Sequence, residues 1–208
     1  MERAKINKII KYFIRYYPNP KCALLHDSPF ELLIATILSA QCTDERVNQV
    51  TQTLFKKYPN VKSFAEADLK LLEQDIRPTG FYKNKAKNIK LCAQKLLELH
   101  DGEVPQTLEE LTALAGVGRK TAHVVLGNAF QIPSGVVVDT HVTRLSQRIG
   151  FTRAKTAEKI ELELNELVPQ KHWIEFSHWL ITHGRLVCKA RKPQCDRCFL
   201  DEHCSKRI

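Results

Sequence analysis

Apolar residues recur every three to four positions along almost the whole chain, the period of helices that bury one face. Polar signals mark where those helices begin. Ser28-Pro29-x-Glu31 combines an N-cap, a first-turn proline and a capping box, and it opens an apolar helix running to about Ala40. Ser63-x-x-Glu66 and Thr107-x-x-Glu110 read as two more capping boxes. The spacing predicts further helices over about 2–17, 43–58, 68–76, 82–100, 139–149, 156–167 and 172–187. Only Val136-Val137-Val138 has β character, and three residues make an extended connector rather than a sheet. With no internal repeat and no low-complexity segment, the expected class is all-α. Past Cys188 the period lapses: leucine and valine become rare while charge and cysteine become dense. Such a segment buries too little apolar surface to order itself, so something else must hold it.

The 208 residues suffice for one large or two small domains, and 43% hydrophobic content suits an ordinary core. No apolar run of about 18 residues exists, so no membrane span is expected. The first 21 residues are basic and amphipathic but lack an apolar stretch ending in a small-residue cleavage site. A cytoplasmic location is therefore expected (nucleoid-associated if the source is bacterial), where seven cysteines stay reduced. The net charge of +9 is concentrated at the ends: +5 over residues 1–21, +4 over 185–208, and zero between. Basic tails can serve solubility alone, but an excess at both ends also suits termini that meet in one positive surface facing a polyanion.

The stretch Leu111-Thr-Ala-Leu-Ala-Gly-Val-Gly-Arg-Lys-Thr-Ala122 carries the most chemistry. It reads as two short helices joined by a tight Gly116-Val117-Gly118 turn. Leu108, Leu111, Leu114 and Ala115 share one face of the first helix, and Ala122, Val125, Leu126 and Ala129 one face of the second. The glycines leave backbone N–H groups bare at a helix N-terminus, a natural phosphate site. Lys120, in the first turn of the second helix, serves either as a phosphate contact or as a nucleophile. An amine attacks only when deprotonated, and a helix N-terminus disfavours its positive charge. Nineteen residues on, Val136-Val-Val-Asp139-Thr-His-Val-Thr-Arg144 opens a helix at Asp139. Aspartate is a good N-cap; its charge could also stabilise a sugar turning cationic as its glycosidic bond breaks.

Cys188-x6-Cys195-x2-Cys198-x5-Cys204 sets four thiols in the coreless segment, which favours zinc or an iron–sulfur cluster. Zinc ribbons more often use two short pairs, whereas this set has one pair and two outlying ligands. Lys189, Arg191, Lys192 and Arg197 fall between the ligands, so a closed loop would present basic side chains to phosphate. Cys22, Cys42 and Cys92 read as ordinary core or surface thiols.

With hairpin, lysine, aspartate and cysteines in this order, the chain resembles the endonuclease III family of the helix-hairpin-helix DNA glycosylase superfamily, over essentially its whole length. The resemblance implies a six-helix barrel over about 22–132, holding the hairpin at about 107–130, and a second helical domain built from 1–21 and 133–208. DNA would lie across the cleft between them. It implies an enzyme that excises oxidised pyrimidines from duplex DNA and cleaves the abasic site by β-elimination. Residue by residue, the nucleophile falls on Lys120, the catalytic aspartate on Asp139, and the ligands of a [4Fe–4S] cluster on Cys188, Cys195, Cys198 and Cys204. Leu-Ser-Ala-Gln-Cys-Thr-Asp at 38–44 resembles the segment that plugs the gap left by a flipped base, at Gln41 with Asp44 in the same loop. Thr79-Gly80-Phe81-Tyr82 resembles the wedge loop, with Phe81 where leucine is more usual. His141 falls beside the DNA gap. The hairpin contacts fall on Gly116, Val117, Gly118 and Arg119, and further contacts on Lys189 and Arg191. The implied partner is duplex DNA with oxidised pyrimidines or abasic sites, bound by a monomer, with no membrane.

Three rivals differ in testable ways. The adenine-mismatch glycosylase shares the cysteine spacing but lacks the lysine nucleophile and carries an extra C-terminal domain; Lys120 and the end at Ile208 argue against it. A non-enzymatic DNA-binding module stapled by a metal needs neither Lys120 nor Asp139. A redox-responsive protein would use the cluster as its sensor, an addition to repair rather than a replacement.

Overall fold

The structure, a computed structural model, describes residues 3–206, which are helical with no strand among them. The helices are α1 (Arg3–Tyr16), α2 (Pro29–Leu38), α3 (Asp44–Lys57), α4 (Val61–Glu66), α5 (Leu69–Asp75), α6 (Tyr82–His100), α7 (Leu108–Thr112), α8 (Arg119–Phe130), α9 (Thr140–Ile149), α10 (Ala157–Leu167) and α11 (Trp173–Leu186). Short hydroxyl, amide and carboxylate side chains start most of them by accepting from the first-turn amides that have no intrahelical partner. Ser28 accepts from Glu31 N, Thr107 from Glu110 N, and Asp139 from Val142 N. All three predicted boxes are drawn differently, Glu110 meeting the Thr107 hydroxyl rather than its amide. Glu31 reaches back to the amide of Asp27 rather than that of Ser28. Ser63 is no N-cap: Asn60 caps α4, and Ser63 closes that box from its third position. The local sequence allows both frames, and Asn60 wins because the chain already turns into the helix at Val61.

The chain forms two compact units, Cys22–Ile132 and Met1–Lys21 with Pro133–Ile208. The first holds α2 to α8, seven helices of which α7 is five residues long. Leu32 through Leu38 are all buried, so α2 is apolar on every side and runs through the middle of the unit, against α3, α6 and α8. On α6, lysines hold the ends of neighbouring elements. Lys90 Nζ donates to Ala67 O at 2.6 Å, Lys95 Nζ to Ala113 O at 3.1 Å, and the buried Lys85 to two carbonyls at once.

The second unit packs α1 with α9, α10 and α11 around Ile6, Ile9, Phe13, Leu145, Ile160, Phe176 and Leu180. The extended Val136–Val138 forms no ladder. Its amides are satisfied sideways, Val136 N by Asn165 Oδ1 and Val137 N by Ser177 Oγ, each at 2.9 Å. Both basic ends of the chain lie in this unit. The Tyr16 ring stacks on Phe199 at 4.2 Å and 2°.

Candidate functional site

The hairpin packs as its apolar pattern predicts: Leu111, Leu114, Val117, Ala122, Val125 and Leu126 are buried. Val117 is thus a core residue, and only its backbone is offered outward. The two glycines have different jobs. Gly116 sits at φ +78°, and a Cβ there would lie 2.8 Å from Asn88 Cβ, so the position demands glycine twice over. Gly118 has ordinary extended backbone at φ −93° and ψ 175°, and a Cβ there would meet nothing within 4 Å. Fold alone does not require it. It N-caps α8 without a side chain, leaving open space beside first-turn amides. Arg119 and Lys120 follow at the first and second positions of α8, both exposed.

Asp139 is the N-cap of α9, half-buried, with Oδ1 accepting from Val142 N at 2.7 Å. The sideways-bonded valines bring the chain to it. Two residues on, His141 Nδ1 accepts from Arg144 Nη2 at 3.2 Å. The same guanidinium donates to Gly184 O and Cys188 O, tying α9 to the end of α11. Gly184 makes that approach possible, since a Cβ there would lie 2.9 Å from both His141 Nδ1 and Arg144 Nη2. Lys120 belongs to one unit and Asp139 to the other.

Gln41 and Phe81, the predicted plug and wedge, share an uncommon backbone. Both are exposed and both are left-handed, at φ 54° and 48°, a region that costs a non-glycine residue about 1–2 kcal/mol. Phe81 is 63% exposed, unusual for so large an apolar ring. Asp44 opens α3 three residues after Gln41.

The structure brings Cys188, Cys195, Cys198 and Cys204 together around one pocket, which Ile149 and Leu200 also line. All four are free thiols. Burial, with crowding by the other cysteines adding to it and the Leu200 amide opposing, pushes the Cys198 thiol up to about 11. Cys204 is raised too, by burial first, with the Lys206 amide opposing and Cys188, Cys195 and Asp201 adding to it. Leu200 N donates to Cys198 Sγ and Lys206 N to Cys204 Sγ, each at 3.4 Å. Arg148 Nη1 reaches Cys188 Sγ at 3.5 Å, and its two terminal nitrogens hold Lys189 O and Ala190 O at 2.8 and 3.0 Å. His183 bridges Tyr17 Oη and Cys198 Sγ; burial pulls its pKa down to about 4 and keeps it neutral. Lys189, Arg191, Lys192 and Arg197 are exposed around this loop. Among the described residues no group of three His, Cys, Asp or Glu converges as the ligands of a single ion.

Arg144, Arg148, His183 and Lys85 escaped the sequence reading. Arg144 and Arg148 did leave a trace, a basic pair one turn apart on the helix that Asp139 opens. Lys85 left another, a lone charge in line with Ala86, Ile89 and Cys92 on the buried side of α6.

The fold and site define a class before they define a protein. Residues 34–170 match the family described as HhH-GPD superfamily base excision DNA repair protein. The chain is 51% identical to endonuclease III of Synechocystis sp. over 203 residues, 98% of this chain and 93% of that one. It is 42% identical to endonuclease III of Escherichia coli over 204 residues, 98% and 96% of the two chains. A structure of a trapped endonuclease III–DNA covalent intermediate superposes with a TM-score of 0.93 at 43% identity, over 99% of this chain and 97% of that one. The chain therefore belongs to the endonuclease III family, within the HhH-GPD superfamily of base excision DNA repair proteins. It is a DNA glycosylase and abasic-site lyase, and the mismatch glycosylase and the non-enzymatic binder are not favoured.

Proposed function

We propose that this chain excises oxidised pyrimidines from duplex DNA and cleaves the resulting abasic site by β-elimination, with Lys120 as nucleophile. The observation that carries the reading is an exposed amine in the first turn of α8, two residues after a glycine that leaves the helix N-terminus open to a close-approaching backbone. Backbone amides from Gly116, Val117, Gly118 and Arg119 would hold the phosphate. The Lys120 lone pair bonds to sugar C1′ as the C1′–N bond breaks, and the base leaves with that electron pair and takes up a proton. The C1′–O4′ bond then breaks, the ring oxygen taking one proton from the attached ammonium, which leaves a protonated imine that acidifies C2′–H. Loss of that proton expels the 3′-phosphate, and water then hydrolyses the imine and returns the free amine. Asp139, while capping α9, stabilises positive charge on the sugar as the base departs. No step needs a metal-activated water, so cleavage persists when free divalent ions are chelated.

Gln41 and Phe81 fill the gap left by the flipped nucleotide, offsetting part of an unstacking cost of a few kcal/mol; Asp44 and His141 line the same region of DNA. Two exposed side chains held on left-handed backbone support this role. Lys189 and Arg191 contact phosphate from the cysteine loop. The chain acts as a monomer on DNA in the cytoplasm.

Cys188, Cys195, Cys198 and Cys204 would hold a [4Fe–4S] cluster. Burial pushes the Cys198 and Cys204 thiols up, so a cationic core would be what turns them into thiolates, and four thiols lining one pocket suit such a core. When bound, that core bonds all four thiolates and closes the loop. Iron and acid-labile sulfide in the purified protein would support it; stoichiometric zinc instead would overturn it.

The enzymatic reading is tested on a duplex carrying one thymine glycol. Borohydride should trap a covalent adduct with the wild type and none with Lys120→Gln. An equal yield from Lys120→Gln removes Lys120 as the nucleophile.

A further inference from the structure

Lys85 is buried, at 5% exposure, in the unit formed by Cys22–Ile132. Its Nζ donates to Leu38 O and to Thr79 O, both at 2.8 Å. These two carbonyls are not arbitrary. Leu38 is the last residue of α2, and Gln41 follows three residues on. Thr79 closes the short turn Arg77–Thr79, and Phe81 follows two residues on. The amide of Lys85 donates to Phe81 O at 3.1 Å, the ordinary first intrahelical bond of α6, so the tie particular to this residue is its Nζ. One residue thus joins the root of the Gln41 loop to the root of the Phe81 loop. Both tips are exposed, and both are left-handed positions that a polypeptide abandons unless its surroundings hold them.

A cation bonding the carbonyl at a helix C-terminus has a sufficient structural reason, since that end carries unsatisfied acceptors and negative partial charge. The second carbonyl is what goes further. A cap needs only α2, whereas Lys85 takes a cap and an unrelated turn, and each leads straight into a tip. Burial pulls the lysine's proton affinity down, with the nearby Cys42 opposing. The fold nonetheless keeps the lysine where methionine would pack at lower desolvation cost.

We propose that Lys85 is a positioning residue that fixes Gln41 and Phe81 relative to one another, so that the two probes enter the duplex as a unit. The proposal rests on the gap-filling role given above to those residues. Lys85 touches neither DNA nor the reacting sugar. It acts by holding the two loop roots at a set spacing, and its effect depends on there being an orphaned base to meet.

The test compares single-turnover excision of thymine glycol opposite adenine with excision of the same lesion opposite an abasic analogue, where no base is left unpaired. Lys85→Met should slow the paired substrate about 10- to 100-fold, the range set by losing a charged-donor hydrogen bond at a positioning element. It should slow the abasic-opposed substrate no more than about 3-fold within the same scale. Lys90→Met is the control. It breaks a similar lysine–carbonyl bond on the same helix, to Ala67 O, away from either tip, and should slow both substrates equally. In Gln41→Ala/Lys85→Met, the paired-substrate loss should stay below the product of the two single losses. Should Lys85→Met fail to fold, Lys85→Gln, which keeps one amide donor, takes its place. If the ratio of the two rates in the Lys85 variant matches wild type and Lys90→Met, Lys85 is only structural and the proposal is wrong. If Gln41→Ala and Phe81→Ala also leave the ratio unchanged, the gap-filling reading fails instead.

Discussion

The hairpin at 107–130 and the cysteine segment at 188–204 both bring backbone and basic side chains to a surface, yet different forces order them. The hairpin keeps its shape through a small apolar core, with Leu111, Ala122 and Val125 wholly buried. The cysteine segment has one fully buried apolar residue, Leu200, and is held by polar staples. Arg144 and Arg148 grip its first turn through the carbonyls of Cys188, Lys189 and Ala190. Four thiols complete it around a shared cavity. Apolar packing is non-directional and shared among many residues, so damage spreads through the unit. A hydrogen-bond staple is directional and local, so damage should stay where it is made.

Leu111→Ala should produce the largest effect, a loss of about 2–5 kcal/mol from a side chain with no exposed surface. Denaturant melts read it, and a loss below about 1 kcal/mol would mean that the hairpin core is not what orders it. Arg148→Ala should come next, costing about 1–3 kcal/mol of local stability, since its carbonyl contacts go unmet. Hydrogen exchange should show faster exchange over 188–204 and an unchanged hairpin; equal acceleration in both would dissolve the contrast.

Within the hairpin, its two glycines divide between folding and binding. Gly116→Ala should destabilise by about 1–3 kcal/mol, because alanine must adopt a left-handed backbone against Asn88. Gly118→Ala should leave unfolding within about 0.5 kcal/mol of wild type yet weaken binding to abasic-site DNA about tenfold, as the added methyl fills the open space where phosphate is proposed to approach. Unaltered affinity would mean that this opening is not where DNA approaches. Smallest is Lys189→Ala, which should leave folding alone and flatten the slope of log affinity against log salt by about 0.9, one phosphate contact. An unchanged slope would take the cysteine loop off the DNA surface.

Much of this was legible in the chain. Each predicted helix exists because apolar period and capping residues act within one or two turns. Ser28, Thr107 and Asp139 each bond an amide three residues ahead. Ser63 shows the limit of such reading: two cap frames three residues apart both fit locally, and the path into α4 selects Asn60. The two glycines look alike as letters. Only the packed Asn88 and a left-handed φ separate the one the fold requires from the one it does not.

The helical class, the hairpin, and the order of lysine, aspartate and cysteines are written in short-range hydrogen bonds and periodicities, which a chain carries before it packs. Tertiary structure decided who holds whom. Lys85 meets a carbonyl 47 residues back, and Arg148 holds carbonyls more than 40 residues ahead. Such partners come within 3 Å only after helices have packed. No local propensity distinguishes a lysine that will be buried against two carbonyls from one that will face water.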